Sequence, residues 1–189
     1  TASTDKSNTT STKLNSNKNA IAQKRELTEV KDVADSLYEA AGKLTDTSAS
    51  KSLFKKADKV TNDITSAVKD YVKNYNSLIE EAADTTNSKV TGKVSFMTGQ
   101  ANAYKSSLEK VGITINSDKT LSIDEDTFKK SDISDVKKLF NGSGSMAYQT
   151  FVRASDISSA AENASASVTS YGADGMYNNY YNSAYNWYL

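Results

Sequence analysis

Between Leu53 and Ile79 the chain carries apolar side chains at Leu53, Ala57, Val60, Ile64, Ala67, Tyr71 and Leu78, at spacings of 4, 3, 4, 3, 4 and then 7. An α-helix turns once per 3.6 residues, so this spacing lays the side chains in one stripe down one face. Asn74 stands where one apolar residue of the series is missing. Phe54, Val68, Val72, Tyr75 and Ile79 flank the stripe and widen it. A stripe this wide needs more than one neighbour, so it predicts a helical bundle and not a lone two-stranded coil. This helix is expected to end near Ala83.

The same alternation recurs on both sides. A first helix is expected over Ala20 to Leu44, with a stripe at Ala20, Leu27, Val30, Ala34, Leu37, Ala41 and Leu44 and flanks at Ile21, Val33 and Tyr38. Thr45 to Ser52 reads as a loop, with Ser50 or Ser52 capping the next helix. A third helix is expected over Lys89 to Val111, on Val90, Val94, Met97, Ala101, Tyr104, Leu108 and Val111, with Gly112 as its C-terminal cap. The period then changes to 2. Ile113, Ile115, Leu121 and Ile123 alternate with polar residues around Asn116-Ser117-Asp118-Lys119-Thr120, which signals a β-hairpin. Asp124 or Asp126 can cap a short helical turn through Phe128, and Ser131 or Asp132 another through Val136 and Phe140. After Asn141-Gly142-Ser143-Gly144-Ser145, a fourth long helix is expected from Met146 to Ser170, on Ala154, Ile157, Ala161, Ala164, Val168 and Tyr171. It is rich in Ala and Ser, so neighbouring helices can approach it closely. The fold class is therefore all-α: an antiparallel bundle of about four long helices with one small β-hairpin near 113–123. Residues 1–19 form a polar N-terminal tail expected to be unstructured, 20–171 the bundle, and 172–189 a Tyr/Asn-rich C-terminal tail.

Composition narrows the chemistry. Cys, His and Pro are absent. Thiolate nucleophiles, sulfur metal sites, His-based triads and His-ligated zinc are thereby excluded. The 23 basic and 23 acidic residues balance, so nothing biases the chain toward nucleic acid or an anionic membrane surface. Its apolar runs fall far short of the ~20 residues of a membrane span.

No spacing points to a catalytic, cofactor or metal site. A calcium loop starting at Asp124 would place Phe128, Lys129 and Asp135 where an oxygen ligand, Gly and Glu belong, so helix capping is the better reading of Asp124-Glu125-Asp126. Glu80 and Glu81 diverge by ~100° on a helix and read as a solvated face. The loop at 141–145 lacks the Lys and spacing of a phosphate-binding loop.

The stretch whose chemistry exceeds the needs of a core is the end of the chain. Gly172-Ala173-Asp174-Gly175 breaks the fourth helix, and seven of the 14 residues from Met176 to Leu189 are aromatic or Leu. In a helix, Tyr177, Tyr181, Tyr185 and Tyr188 share one side, and Tyr180, Ala184 and Trp187 form a second stripe. Tyr and Trp bury large areas, lose little rotamer entropy and keep a polar handle. Tyr177, Tyr180, Tyr181, Tyr185, Trp187 and Tyr188 are accordingly candidate partner-binding residues, unless the tail folds back to cover a groove of its own bundle.

The stretch Val68-Lys69-Asp70-Tyr71-Val72-Lys73-Asn74-Tyr75-Asn76-Ser77-Leu78-Ile79 resembles the segment leading into the C-terminal helical core of flagellar hook-associated protein 2, the filament cap. Leu108-Glu109-Lys110-Val111-Gly112-Ile113-Thr114 with Lys119-Thr120-Leu121-Ser122-Ile123-Asp124-Glu125 resembles that family's hairpin region. Asp135-Val136-Lys137-Lys138-Leu139-Phe140-Asn141-Gly142-Ser143-Gly144 resembles the short helix and Gly-Ser loop after it. Thr45 to Ser52 leaves no room for the family's outer domains, so the resemblance implies a shortened relative that keeps the helical core. It implies an exported, extracellular, flagellum-associated structural protein without enzymatic activity. Its partners would be other protein subunits, either further copies of itself or flagellin-like proteins, with no cofactor. The alternative from the residues is a secreted binding module that contacts carbohydrate or a cell surface through the aromatic tail.

Overall fold

Three elements carry most of the buried surface: a first helix, α1 (Asp5–Thr45), a second, α2 (Asn62–Asp84), and a last, α7 (Met146–Ser170). Between them lie α3 (Ser88–Ala101), a 3-10 turn (Asn102–Tyr104), α4 (Lys105–Lys110), strands β1 (Ile113–Ile115) and β2 (Leu121–Ile123), and the short helices α5 (Glu125–Lys130) and α6 (Ile133–Phe140). The structure is a computed structural model, and it describes the backbone of residues 5–170 and the side chains of 15–168. The expected all-α fold with a small β-hairpin is present.

The stripe of α1 is buried as its spacing requires: Leu27, Val30, Ala34, Leu37, Ala41 and Leu44 all lie in the core. α7 runs antiparallel to it. Asp35 accepts a hydrogen bond from Ser158 (2.6 Å), Tyr38 stacks on Phe151 at 4.2 Å, and Gly42 approaches Phe151 so closely that a Cβ would lie 3.3 Å from its ring. Small residues make this approach possible, with Ala34 and Ala41 on one helix and Ala147, Ala154 and Ala161 on the other, all buried. Asp35 illustrates the electrostatics of the seam. Burial alone raises its pKa, but hydrogen bonds from Lys31 and Ser158 outweigh that and hold the carboxyl below the ordinary carboxylate range.

Four expectations need correction. The helix at the N-terminus begins at Asp5 and not near Ala20, so the polar segment from residue 5 continues α1. Nothing in its sequence stops a helix once the apolar stripe beyond has nucleated one, because it holds neither Pro nor Gly. Ile21, placed at the flank of the stripe, is exposed. The second helix begins at Asn62, nine residues after Leu53, and its cap is Thr61, whose Oγ1 accepts from the Ile64 N–H at 3.2 Å; Ser50 and Ser52 do not cap it. A helix begun at Leu53 would carry its first apolar residues roughly 13 Å further along its axis, past the end of α1. The irregular segment instead folds back, burying Phe54 and Val60 and holding the Ala57 carbonyl on Lys137 Nζ (2.9 Å). The third helix is interrupted by the 3-10 turn at 102–104, while its seam survives: Val90, Val94, Met97, Ala101, Leu108 and Val111 are buried on both sides of the break.

The hairpin forms in the expected place, with Ile113 opposite Ile123 and Ile115 opposite Leu121. Its outer edge is closed by α2. Asn76 Nδ2 donates to the Leu121 carbonyl (2.9 Å), and Asn76 Oδ1 accepts from the Leu121 N–H (2.7 Å). Gly112 takes the positive φ of a C-terminal cap (78°), and Asp124 caps α5 through its side chain. Asp132 caps α6, and Asn141 Nδ2 donates to the Leu44 carbonyl at the end of α1 (3.0 Å).

Three substitutions test this frame. Asn76→Ala leaves the N–H and C=O of Leu121 without their partners, and urea denaturation is expected to show a loss of about 2 kcal/mol. Gly112→Ala puts a Cβ 2.8 Å from that of Thr127 at a φ that side chains disfavour. The expected cost is about 3 kcal/mol. Gly99→Ala, where a Cβ meets nothing within 4 Å, is expected to stabilise by a few tenths of a kcal/mol to about 1 kcal/mol.

Candidate functional site

The predicted contact residues Tyr177, Tyr180, Tyr181, Tyr185, Trp187 and Tyr188 lie outside the described residues. The surface they leave from does not. α7 ends at Ser170, and its last turns form one wall of an open groove of about 980 Å³. Ser159, Ala160, Asn163, Ala164, Ser167 and Val168 line it from α7, Ala20 and Gln23 from α1, and Asn87, Ser88, Lys89 and Lys93 from the start of α3. The floor is made of small side chains, Ala160 and Ala164 being half-buried. Among the described residues, three elements meet here without a fourth to fill the space between them.

Lys89, Lys93 and Asp156 also line a second depression, of about 280 Å³, together with Gly92, Phe96 and Arg153. Phe96 is 55% exposed, and the Arg153 guanidinium lies 5.1 Å from its ring centroid. Arg153 Nη1 donates to Asp156 at 2.9 Å, while its buried Nε has no hydrogen-bond partner. Ile21 (70%) and Phe96 are the most exposed large apolar side chains among the described residues, and Phe96 lies in this second depression. Sequence reasoning did not single out this patch. The signal was there: Phe96 is an aromatic residue off the seam of an otherwise regular helix.

The acidic residues weighed as ligands have structural partners. Asp124 Oδ1 accepts from the N–H groups of Asp126 and Thr127, and these hydrogen bonds, with that from the Thr127 hydroxyl, lower its pKa. Glu125 pairs with Lys69 on α2 and with Lys129, and the hydrogen bond from Lys69 is the main cause of its lowered pKa. Among the described residues, no group of three or more acidic side chains is placed to hold a metal ion. None of their helices is long and apolar enough to cross a membrane. In the loop at 141–145, Ser145 Oγ accepts from the Tyr148 N–H (3.1 Å) and so caps α7.

Two buried phenols could suggest acid–base chemistry, and their setting assigns them to the core. Tyr71 and Tyr75 are fully buried, and desolvation raises both pKa values well above the ordinary tyrosine range. The Tyr71 hydroxyl shares a hydrogen bond with Thr150 (2.8 Å), and its ring meets Phe140 edge-on at 5.7 Å. The groove, with its open floor and mixed polar rim, is suited to hold a helix or an extended segment.

If Phe96 serves as contact surface, removing it should cost the fold little. Phe96→Ser is expected to lower stability by no more than about 1 kcal/mol in urea denaturation, the size of one exposed cation–π contact. Comparison with protein-family models, curated proteins and solved structures finds no match to this chain.

Proposed function

We propose that this chain is a non-enzymatic assembly subunit, similar to the helical core of the flagellar filament cap, that joins other protein subunits through residues 171–189 and the groove beside them. The observation that carries the reading is the open, small-residue groove between α1, α3 and the last turns of α7, the helix that the aromatic stretch follows in sequence. Interfaces draw most of their energy from a few aromatic anchors seated in pockets. The segment supplies such anchors at Tyr177, Tyr181, Tyr185 and Trp187, and the groove supplies the seat. The resemblance across Val68 to Gly144 supports an extracellular, flagellum-associated setting with partners that are copies of the chain or flagellin-like proteins.

Molar mass by light scattering behind a sizing column tests this on the intact chain and on one ending at Gly172. The intact chain is expected to form a defined oligomer, and the shortened one a monomer near the 20.5 kDa of a single chain. Equal masses for the two chains overturn the proposal. If both are monomers, the secreted binding module moves ahead of it.

A further inference from the structure

We infer that Glu80 and Asp84 at the end of α2 and Lys89 and Lys93 at the start of α3 form a contact between copies of this chain, the acidic strip of one copy seating on the basic strip of another. This rests on the reading of the chain as an assembly subunit and names the partner as a second copy, through a surface that lies within the described residues.

Each strip breaks the rules of its own helix. Glu80 and Asp84 stand about 6 Å apart along the axis, one turn, and so do Lys89 and Lys93. Like charges at this spacing repel and weaken a helix. Their places in the helices add to the conflict. Glu81 and Asp84 lie in the last turn of α2, which holds no basic residue, although the negative end of the helix dipole favours cations there. Lys89 lies in the first turn of α3, which holds no acidic residue, although the positive end favours anions.

Nothing in the same copy relieves this. Glu80, Asp84, Lys89 and Lys93 are all exposed, and among the described residues none of them enters an ion pair. Only the link 85–87 separates the two strips in sequence, yet no ion pair joins them. Other lysines on the bundle do find partners, Lys69 in Glu125 and Lys110 in Asp135.

The strips match each other instead. Both repeat their charge at one helical turn, so a single approach brings two ion pairs together. Each has an exposed apolar neighbour: Ala83 between the two carboxylates, and Phe96 one turn beyond Lys93. Lys89, Lys93 and Phe96 line their depression with Arg153 and Asp156, which makes three cations to one carboxylate in a chain whose charges otherwise balance. Charge of this kind steers and orients a partner, and the exposed ring supplies an anchor. A nucleic acid or an anionic membrane would meet the carboxylates of 80–84 beside the lysines and be repelled by them. A second copy brings both signs, and a two-fold pair satisfies both strips of each copy at once.

Charge reversal in the full chain tests this. K89E/K93E makes both strips acidic, and E80K/D84K makes both basic. Each reversal supplies the charge its helix end favours, so circular dichroism should show each variant melting no lower than the wild type. In sedimentation velocity each variant is expected to self-associate at least about tenfold more weakly than the wild type. Mixed in equal amounts, the two should associate with each other near the wild-type strength, and less so as salt rises from about 0.05 M to about 0.5 M. A purely structural role for these residues predicts the opposite, lower melting and no rescue on mixing. Association unchanged by both reversals overturns the inference, as does a mixture that associates no better than its parts, or a wild-type chain that stays monomeric at low salt. The two readings fail separately. An oligomer that is lost on truncation at Gly172 but indifferent to both reversals leaves the assembly reading standing and removes this contact. Association that survives the truncation and yields to the reversals removes the part given to 171–189 and keeps the contact.

Discussion

The two hydrogen bonds between Asn76 and Leu121 hold the irregular half of this molecule on its helical half. A hairpin with three residues per strand cannot stand alone in water, and its outer edge exposes an N–H and a C=O that need partners. The Asn76 amide offers one acceptor and one donor on a single side chain and meets both, acting as a fragment of third strand. The elements that follow add their own contacts to that anchorage. Ile113 and Leu121 go down into the core, Phe128 and Phe140 follow from α5 and α6, and Phe140 meets Tyr71 one turn before Asn76 on α2. Asn141 then reaches back to cap α1. The chain thus leaves α2, crosses the bundle end and returns to α1 through contacts that begin at one amide.

The parts of this fold that repeat were legible in the sequence, and the parts set by three-dimensional closure were not. Heptad spacing identified the buried faces of α1, α3 and α7, because a helix converts spacing into direction with no other information. Period 2 located both strands; of the paired alternatives Asp124 or Asp126 and Ser131 or Asp132, Asp124 and Asp132 cap α5 and α6, and Gly112 takes the positive φ expected of a helix end, since a cap is a local device. Leu53, Ala57 and Val60 show where such reading stops. Their spacing fits a helix as well as that of Ile64 and Tyr71 does, yet they reach the core from an irregular segment, because α1 ends at Thr45 and leaves no neighbour for a longer α2. Asn76 was invisible for a related reason. Its partner lies 45 residues away, and no periodicity encodes a single long-range amide contact.

The candidate site divides along the same line. The aromatic composition of 176–189 is plain in the sequence, whereas the groove is a property of three elements together. Its α7 wall could be foreseen only as a helix rich in Ala and Ser, and that composition has two consequences which the sequence does not separate. On the side facing α1 the small residues let two helices close on each other, with Gly42 against Phe151 and Tyr38 stacked on the same ring. On the side facing α3 no element among the described residues closes the gap, and the same small residues become a floor.

That asymmetry bears on how an open groove can persist in water. A floor of Ala and Ser exposes little apolar area, so standing empty costs the subunit little solubility. The gain on docking comes almost wholly from the incoming side chains, each aromatic ring burying about 150–250 Å². A seat of this kind would discriminate by the size and planarity of its occupant and not by its own stickiness. Exposed Phe96 lies at one edge, where the Arg153 guanidinium packs over its ring.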